Sequence, residues 1–178
     1  ETSPNPEQLK LLSKALNVSI DELLNNDIKQ VLVEKVNNTQ RRWALEQLKK
    51  IYHNLDGLRL AVWGLSFKPH TDDLRFAPAV EIIQALLQEG AQVQCYDPAA
   101  MDKASQILPQ ATMCKNALDA CRQAQALIIC TEWPQFKSAD LLKVHEEMAT
   151  PIILDGRNLF EPKRMAEHNF QYYGVGRS

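Results

Sequence analysis

The chain is poor in glycine, with six residues in 178. Gly64 is followed by Leu65 and Ser66, and no further glycines arrive in time to complete the dinucleotide fingerprint G-x-G-x-x-G. Without them the backbone cannot close on a pyrophosphate, so a nucleotide bound here must be held by side chains. The four cysteines, Cys95, Cys114, Cys121 and Cys130, form no C-x-x-C and share no zinc spacing with histidine. That argues against a metal site. Cys95 and Cys130 lie in apolar, strand-like runs, so the thiols read as buried and free in a reducing compartment, the cytoplasm. No apolar run approaches the ~20 residues that span a membrane. Charge of either sign is not in excess: 20 Lys and Arg stand against 22 Asp and Glu. Bulk nucleic-acid binding is therefore not expected, and any basic site must be local. Glu1-Thr2-Ser3-Pro4 does not begin a signal peptide, and with no initiator methionine the chain reads as a fragment or a processed product.

What is present suffices for one full core and an appendage, with 45% hydrophobic residues. Three regions are expected. Residues 1–27 form a small helical segment: Pro6-Glu7-Gln8 opens a helix with Leu9, Leu11, Leu12 and Leu16 apolar, and Ser19 with Glu22 forms a capping box before Leu23-Leu24. Residues 28–57 hold one long helix, since Ile28, Val31, Leu32, Val36, Trp43, Leu48 and Ile51 recur at helical spacing. A helix of this length needs a partner for Val36, Trp43 and Leu48, and dimerisation would supply one; folding back on its own sheet would be the other solution.

Residues 58–178 alternate strand and helix. The predicted strands are 58–62, 93–96, 126–130, 152–154 and 171–173, with a doubtful one at 112–114. The predicted helices are 78–88, 101–108, 117–122, 138–147 and 162–168. This alternation specifies a Rossmann-like parallel α/β sheet with helices on both faces. In the order 3-2-1-4-5-6 the first and fourth strands adjoin at a switch point, where such sheets bind ligands. The loops after the first, fourth and fifth strands then converge on one crevice. The first of these loops carries Phe67, Lys68, Asp72, Asp73 and Arg75; two cations and an aromatic suit an anionic ligand with a flat ring, such as a nucleotide diphosphate. Lys68 could meet a phosphate or a sugar hydroxyl while Phe67 packs on a base or ribose; equally, Lys68 could be solvated above a core Phe67. Arg157, following Asp155-Gly156, could fork onto phosphate or sugar oxygens or pair with Asp155 or Glu161. Gly156 would permit a sharp turn there. Asp97 occupies the usual ribose slot after the second strand, but with no glycine fingerprint it reads as a structural vestige whose removal costs ligand binding little. Trp133 reads as packing beneath the crevice.

Gly64-Leu65-Ser66-Phe67-Lys68-Pro69-His70-Thr71-Asp72-Asp73-Leu74-Arg75 resembles the G-L-x-F-K-P-x-T-D-D-x-R block of the UDP-glucose/GDP-mannose dehydrogenase family. Cys95-Tyr96-Asp97-Pro98, Thr131-Glu132-Trp133-Pro134 and Leu154-Asp155-Gly156-Arg157-Asn158 match further family blocks in order and spacing, as does the tail 172–177. The resemblance runs from about Gln30 to the end, and its D-G-R-N version points to the UDP-glucose branch. It implies a UDP-sugar-binding domain, with Phe67, Lys68 and Arg157 on the UDP-sugar. It also implies that Arg75 reaches NAD held mainly by another domain, that Asp73 positions the loop, and that the long helix builds a homodimer; Asn158, adjacent to Arg157, reads from its position as structural. Phe76 departs from the family, which commonly has Glu there to pair locally. In the complete family enzyme UDP-glucose is oxidised to UDP-glucuronate with two NAD by way of a cysteine in G-G-x-C-F-P-K-D. Neither that motif nor the NAD-binding G-x-G-Y-V-G occurs in these 178 residues, so the resemblance gives this chain no catalytic residue and predicts no turnover alone. Dehydrogenases of other nucleotide sugars, or a nucleotide-binding or regulatory module without catalysis, are the alternatives. Residues 4–25 separately resemble the tail of a phage-repressor-type helix-turn-helix domain without its recognition helix.

Overall fold

A computed structural model describes residues 43–177 throughout, together with isolated positions between 7 and 21. The chain divides into two compact units, Glu1–Thr39 and Gln40–Ser178. In the first, Glu7, Lys10, Leu11, Ser13 and Lys14 are helical, as are Ile20 and Asp21 directly after Ser19. Ser19 thus stands where its expected N-cap role requires. Leu11, expected on an apolar face, is exposed. The rest of the 1–27 segment, and the long helix before residue 43, lie outside the described residues.

The second unit begins with the described part of that helix, α1 (residues 43–52). The strands that follow are β1 (Arg59–Trp63), β2 (Gln92–Tyr96), β3 (Thr112–Met113), β4 (Ala126–Ile129), β5 (Ile152–Asp155) and β6 (Gln171–Gly174). They form one sheet in the order β3-β2-β1-β4-β5-β6, and every pairing is parallel. Between them run α2 (Pro78–Gln88), α3 (Met101–Ile107), α4 (Ala117–Cys121), α5 (Pro134–Lys137), α6 (Leu141–Glu147) and α7 (Pro162–Glu167).

Strand alternation divides the apolar residues between two cores, one on each face of the sheet. Leu60 and Val62 of β1, Ile128 of β4 and Leu154 of β5 meet Ile83 and Leu86 of α2 and Ala104 of α3. Ala61 and Trp63, Leu127 and Ile129, and Ile153 point the other way, onto Ala120, Phe136, Val144 and Met165. Trp63 stacks on Phe136 with ring centroids 5.0 Å apart. Ala44 and Leu48 of α1 and the following Leu55 are buried in the first core, with Trp43 half-buried against it. Leu48 was expected to need a partner subunit. It is fully buried inside its own unit, a placement that stabilises by about 1.5–3 kcal/mol. Val36 lies outside the described residues. No described helix is long and apolar enough to cross a membrane.

The helix expected over 138–147 begins later, as α6 at Leu141, and a separate short helix, α5, precedes it over Pro134–Lys137. Pro134 opens α5 at its first position, and the Asp140 carboxylate caps α6 by accepting the Lys143 N–H. Pro suits a first turn and Asp a cap, so each starts a new helix rather than interrupting one. The short strand at 112–114 is real over Thr112–Met113.

One buried carboxylate ties together the loops at the C-terminal edge. Asp97, 1% exposed just after β2, accepts N–H bonds from Leu65 (2.7 Å) and Ser66 (3.0 Å) and a hydroxyl bond from Ser66 (3.0 Å). It also takes the Ala99 and Ala100 N–H groups, each at 2.9 Å, and the Trp133 indole N–H at 3.2 Å. Thr131 donates its hydroxyl to the Ser66 carbonyl at 2.5 Å. Gly64 lets the two loops approach: an added Cβ there would lie 2.5 Å from Thr131 Cβ and 2.7 Å from its backbone nitrogen, at φ +86°. Asp97 is therefore structural, as expected, yet its removal cannot be innocuous.

The clamp makes three testable predictions. Asp97→Ala leaves several buried donors without an acceptor, each costing about 1–3 kcal/mol, so urea unfolding at pH 7 should show a loss of about 3 kcal/mol or more. Burial raises the Asp97 pKa, but the N–H bonds from Ser66, Ala99, Leu65 and Ala100 together outweigh it, and the net shift is downward. A lowered folded-state pKa gives stability that is complete above the unfolded value of about 3.9 and is lost as pH falls below it. Asp97→Asn should accordingly lose less stability than the parent between pH 5 and pH 3; equal slopes would contradict the clamp. Gly64→Ala adds left-handed strain of about 1–2 kcal/mol to the collision with Thr131, and should lower the melting temperature even though no side-chain contact is removed.

Candidate functional site

The expected convergence of three loops is made by specific contacts. The β1 loop is tied to the β4 loop through Ser66 with Thr131 and Trp133, and His70 lies edge-on to Trp133 at 5.3 Å between centroids. The β5 loop leans on β4: Gly156 N–H donates to the Ile129 carbonyl at 3.0 Å, and a Cβ on Gly156 would lie 2.9 Å from that oxygen. Gly156 is therefore needed for this close approach and not for a left-handed turn. Asn158 takes the left-handed conformation at φ +51°. Asn tolerates it, and its amide N–H holds the Val175 carbonyl at 3.0 Å. Asn158 is thus structural, as its position suggested.

Phe67 and Lys68 sit at the outer part of the β1 loop. Phe67 is 42% exposed and so is not a core residue beneath the lysine. Lys68 is exposed and has no carboxylate partner among the described residues. Arg75, with 82% of its side chain exposed, is gripped in bidentate fashion by Asp73, Nε and Nη2 lying 3.0 and 2.8 Å from the carboxylate oxygens. Hydrogen bonding to Arg75 holds the Asp73 carboxyl well below the usual carboxylate range. Asp73 also offers its main-chain carbonyl to the Phe67 N–H at 2.9 Å. It therefore fixes the loop's shape, and it supplies the local ion pair that Phe76, 74% exposed, cannot.

Arg157 does pair with a carboxylate, but with neither of the two candidates named from sequence. Glu132 in the β4 loop receives Nε at 2.5 Å and Nη2 at 2.8 Å. Asp155, fully buried, instead accepts the Arg157 backbone N–H at 3.0 Å, the Phe160 N–H at 3.0 Å and the Tyr172 hydroxyl at 2.9 Å. Glu161 pairs instead with Arg177, at 4.0 Å. The hydrogen bond to Glu132 raises the Arg157 pKa, and the reciprocal bond lowers that of Glu132. Glu132 lies in the Thr131-Glu132-Trp133-Pro134 block quoted above, yet nothing local to it marks it as the partner of Arg157. Only the adjacency of β4 and β5 reveals it.

Cofactor and metal chemistry can be tested against the same geometry. In a dinucleotide-binding Rossmann unit the N–H groups after the first strand face the pyrophosphate. Here the Leu65 and Ser66 N–H groups are committed to Asp97. A dinucleotide cradle does not fit this turn, so only surface residues such as Arg75 are free to reach a cofactor. No group of three or more His, Cys, Asp or Glu among the described residues could hold a metal. Cys95, Cys121 and Cys130 are buried, whereas Cys114 is half-buried, contrary to the expectation for all four. Burial pushes the Cys130 thiol, the one nearest this edge, up to about 12, so it is no nucleophile at neutral pH.

Comparison with known proteins agrees with this arrangement. Residues 61–162 match the model of the UDP-glucose/GDP-mannose dehydrogenase family, UDP binding domain. The UDP-glucose 6-dehydrogenase of Pseudomonas aeruginosa is 40% identical over 152 residues, covering 82% of this chain and 34% of that protein. The UDP-glucose 6-dehydrogenase TuaD of Bacillus subtilis is 38% identical over 146 residues, 82% of this chain and 32% of that one. A solved UDP-glucose dehydrogenase from Pyrobaculum islandicum superposes with a TM-score of 0.70 at 28% identity, over 93% of this chain and 34% of its own. The chain spans about a third of the length of these relatives. A family model covering more than half of the residues, on a parallel sheet whose three ligand-edge loops carry the family's blocks, makes this chain a member of the UDP-glucose/GDP-mannose dehydrogenase family, comprising its UDP binding domain.

Proposed function

We propose that the chain is the UDP-sugar-binding part of a UDP-glucose 6-dehydrogenase that oxidises UDP-glucose to UDP-glucuronate with two NAD. The observation that carries this reading is the one edge shared by the exposed Phe67-Lys68 pair and Arg157, on loops tied to each other through Ser66, Thr131 and Glu132. Phe67 offers a ring face to the uracil or ribose, and Lys68, without a carboxylate partner among the described residues, offers its charge to the diphosphate. Arg157 offers the part of its guanidinium that Glu132 does not use. Arg75, held outward by Asp73, reaches toward NAD bound on another domain.

Side-chain recognition suits the chemistry of this turn, where Asp97 has taken the backbone N–H groups. Each charged hydrogen bond contributes about 1.5–3 kcal/mol. Lys68→Ala and Arg157→Ala should therefore each weaken UDP-glucose binding roughly tenfold or more by calorimetry, at about 1.4 kcal/mol per decade. Binding that both substitutions leave untouched would sink the site assignment.

The 178 residues contain neither the family's catalytic cysteine motif nor its dinucleotide fingerprint. Mixed with UDP-glucose and NAD, the chain should produce no NADH. Turnover would refute the assignment of catalysis to residues outside this sequence. The absence of both motifs also favours a second reading, a nucleotide-binding or regulatory module without catalysis. Turnover on supplying the family's NAD-binding domain would decide against it. Assembly as a homodimer through residues 28–57, in the cytoplasm, belongs to the same proposal. Ala44 and Leu48 are already buried in their own unit and are not available to that interface. A species of 20.2 kDa in sedimentation equilibrium at high concentration would count against it.

A further inference from the structure

Glu132 and Arg157 lie on backbone that is anchored on each side. Thr131 is bonded to the Ser66 carbonyl and Trp133 to Asp97, so Glu132 between them has little freedom. The Arg157 N–H is held by Asp155. The pair is nonetheless accessible, with 33% of the Arg157 side chain and 38% of the Glu132 side chain exposed. Glu132 engages Nε and one hydrogen of Nη2. Of the five N–H donors on a guanidinium, three are therefore left, both of those on Nη1 among them, with no partner among the described residues. Each Glu132 oxygen also keeps acceptor capacity beyond its one bond to Arg157.

The charges divide unequally. Among the described residues Arg75 is neutralised by Asp73 and Arg157 by Glu132, while Lys68 in the β1 loop has no carboxylate partner. A diphosphate brings negative charge and acceptors only, so it gains from Lys68 but meets a carboxylate at the Glu132–Arg157 pair. A sugar hydroxyl both donates and accepts. Separate hydroxyls of one sugar can divide the pair, one giving its proton to a Glu132 oxygen and another accepting from Arg157 Nη1, and neither charge is left unpaired.

We infer that the Glu132–Arg157 pair reads the hydroxyls of the sugar, with Lys68 left to the diphosphate, so that Glu132 is a specificity-determining residue. This rests on the UDP-sugar reading above. It resolves the choice between phosphate and sugar for Arg157, and assigns a ligand contact to a residue so far seen only as its counterion.

The test compares UDP with UDP-glucose on the 178-residue chain by calorimetry, using the parent, Glu132→Gln and Lys68→Ala. Glutamine is nearly isosteric at this partly exposed position, and a thermal melt confirms folding. Glu132→Gln should weaken UDP-glucose about tenfold and leave UDP within about twofold, while Lys68→Ala should weaken both ligands. If Glu132 only neutralises Arg157, its loss adds net positive charge and UDP binds more tightly; that result, an equal loss for both ligands, or an unchanged affinity for UDP-glucose overturns the inference. Loss of both ligands in Lys68→Ala together with no effect of Glu132→Gln keeps the UDP-sugar site and removes only the sugar-reading role. If the parent binds neither ligand, or Lys68→Ala changes neither, the underlying site falls and this inference falls with it.

Discussion

The Asp97 carboxylate is the constraint on which the ligand edge depends. It stands after β2, yet most of its bonds serve other loops: Leu65 and Ser66 after β1, and Trp133 after β4. A buried charge without partners would be expelled or neutralised. Four backbone N–H groups, a hydroxyl and an indole N–H make it stable here, and its burial in turn forces those groups into one arrangement. The effect is a knot joining three turns that the sheet alone would bring only to the same edge.

That knot also decides what kind of site this can be. An aspartate at the end of the second strand and free N–H groups at the end of the first are, in a dinucleotide-binding unit, two separate ligand contacts. Here they bind each other. The fold keeps the switch point between β1 and β4 but gives up the backbone cradle, which leaves recognition to side chains farther out on the loops, where the proposed Phe67, Lys68 and Arg157 stand. The shortage of glycine after Gly64 has the same cause: a backbone that does not approach phosphate needs no glycines to do so. Gly64 itself is kept for a different close approach, to Thr131.

Much of this was legible in the sequence. Short continuous apolar runs alternating with segments of helical spacing specified a parallel sheet, and the strand order placed the three loops together before any contact was known. Lys68, Phe67 and Arg157 could be picked out as polar or aromatic residues where apolar runs end. What could not be read were pairings across the sheet. Glu132 and Arg157 are separated by 25 residues, and nothing local to either points to the other; Asp155, two residues from Arg157, looked the nearer partner but turns inward to Tyr172 and Phe160. The short α5 at Pro134–Lys137 was missed because four residues carry no helical periodicity, and the start of α6 was set three residues early, ahead of its Asp140 cap. Leu48 was misjudged for a related reason: helical periodicity shows that a face is apolar, not whether the surface covering it comes from the same chain.

Rigidity at the edge is bought with backbone strain. His70, Phe76 and Asn158 all adopt positive φ, at 62°, 58° and 51°, and two of them lie in the loop that carries Lys68 and Arg75. Asn adopts this region readily, but for a bulky residue such as Phe76 it costs on the order of 1–3 kcal/mol. Such conformations persist only where the surroundings overdetermine them. The Phe67 N–H held by the Asp73 carbonyl, the Asp73–Arg75 fork and the His70–Trp133 contact supply those surroundings, and Trp133 is itself fixed by Asp97. A loop restrained at so many points loses little further entropy when a ligand arrives, so a few charged side chains at its rim can be enough to hold a nucleotide without a backbone cradle.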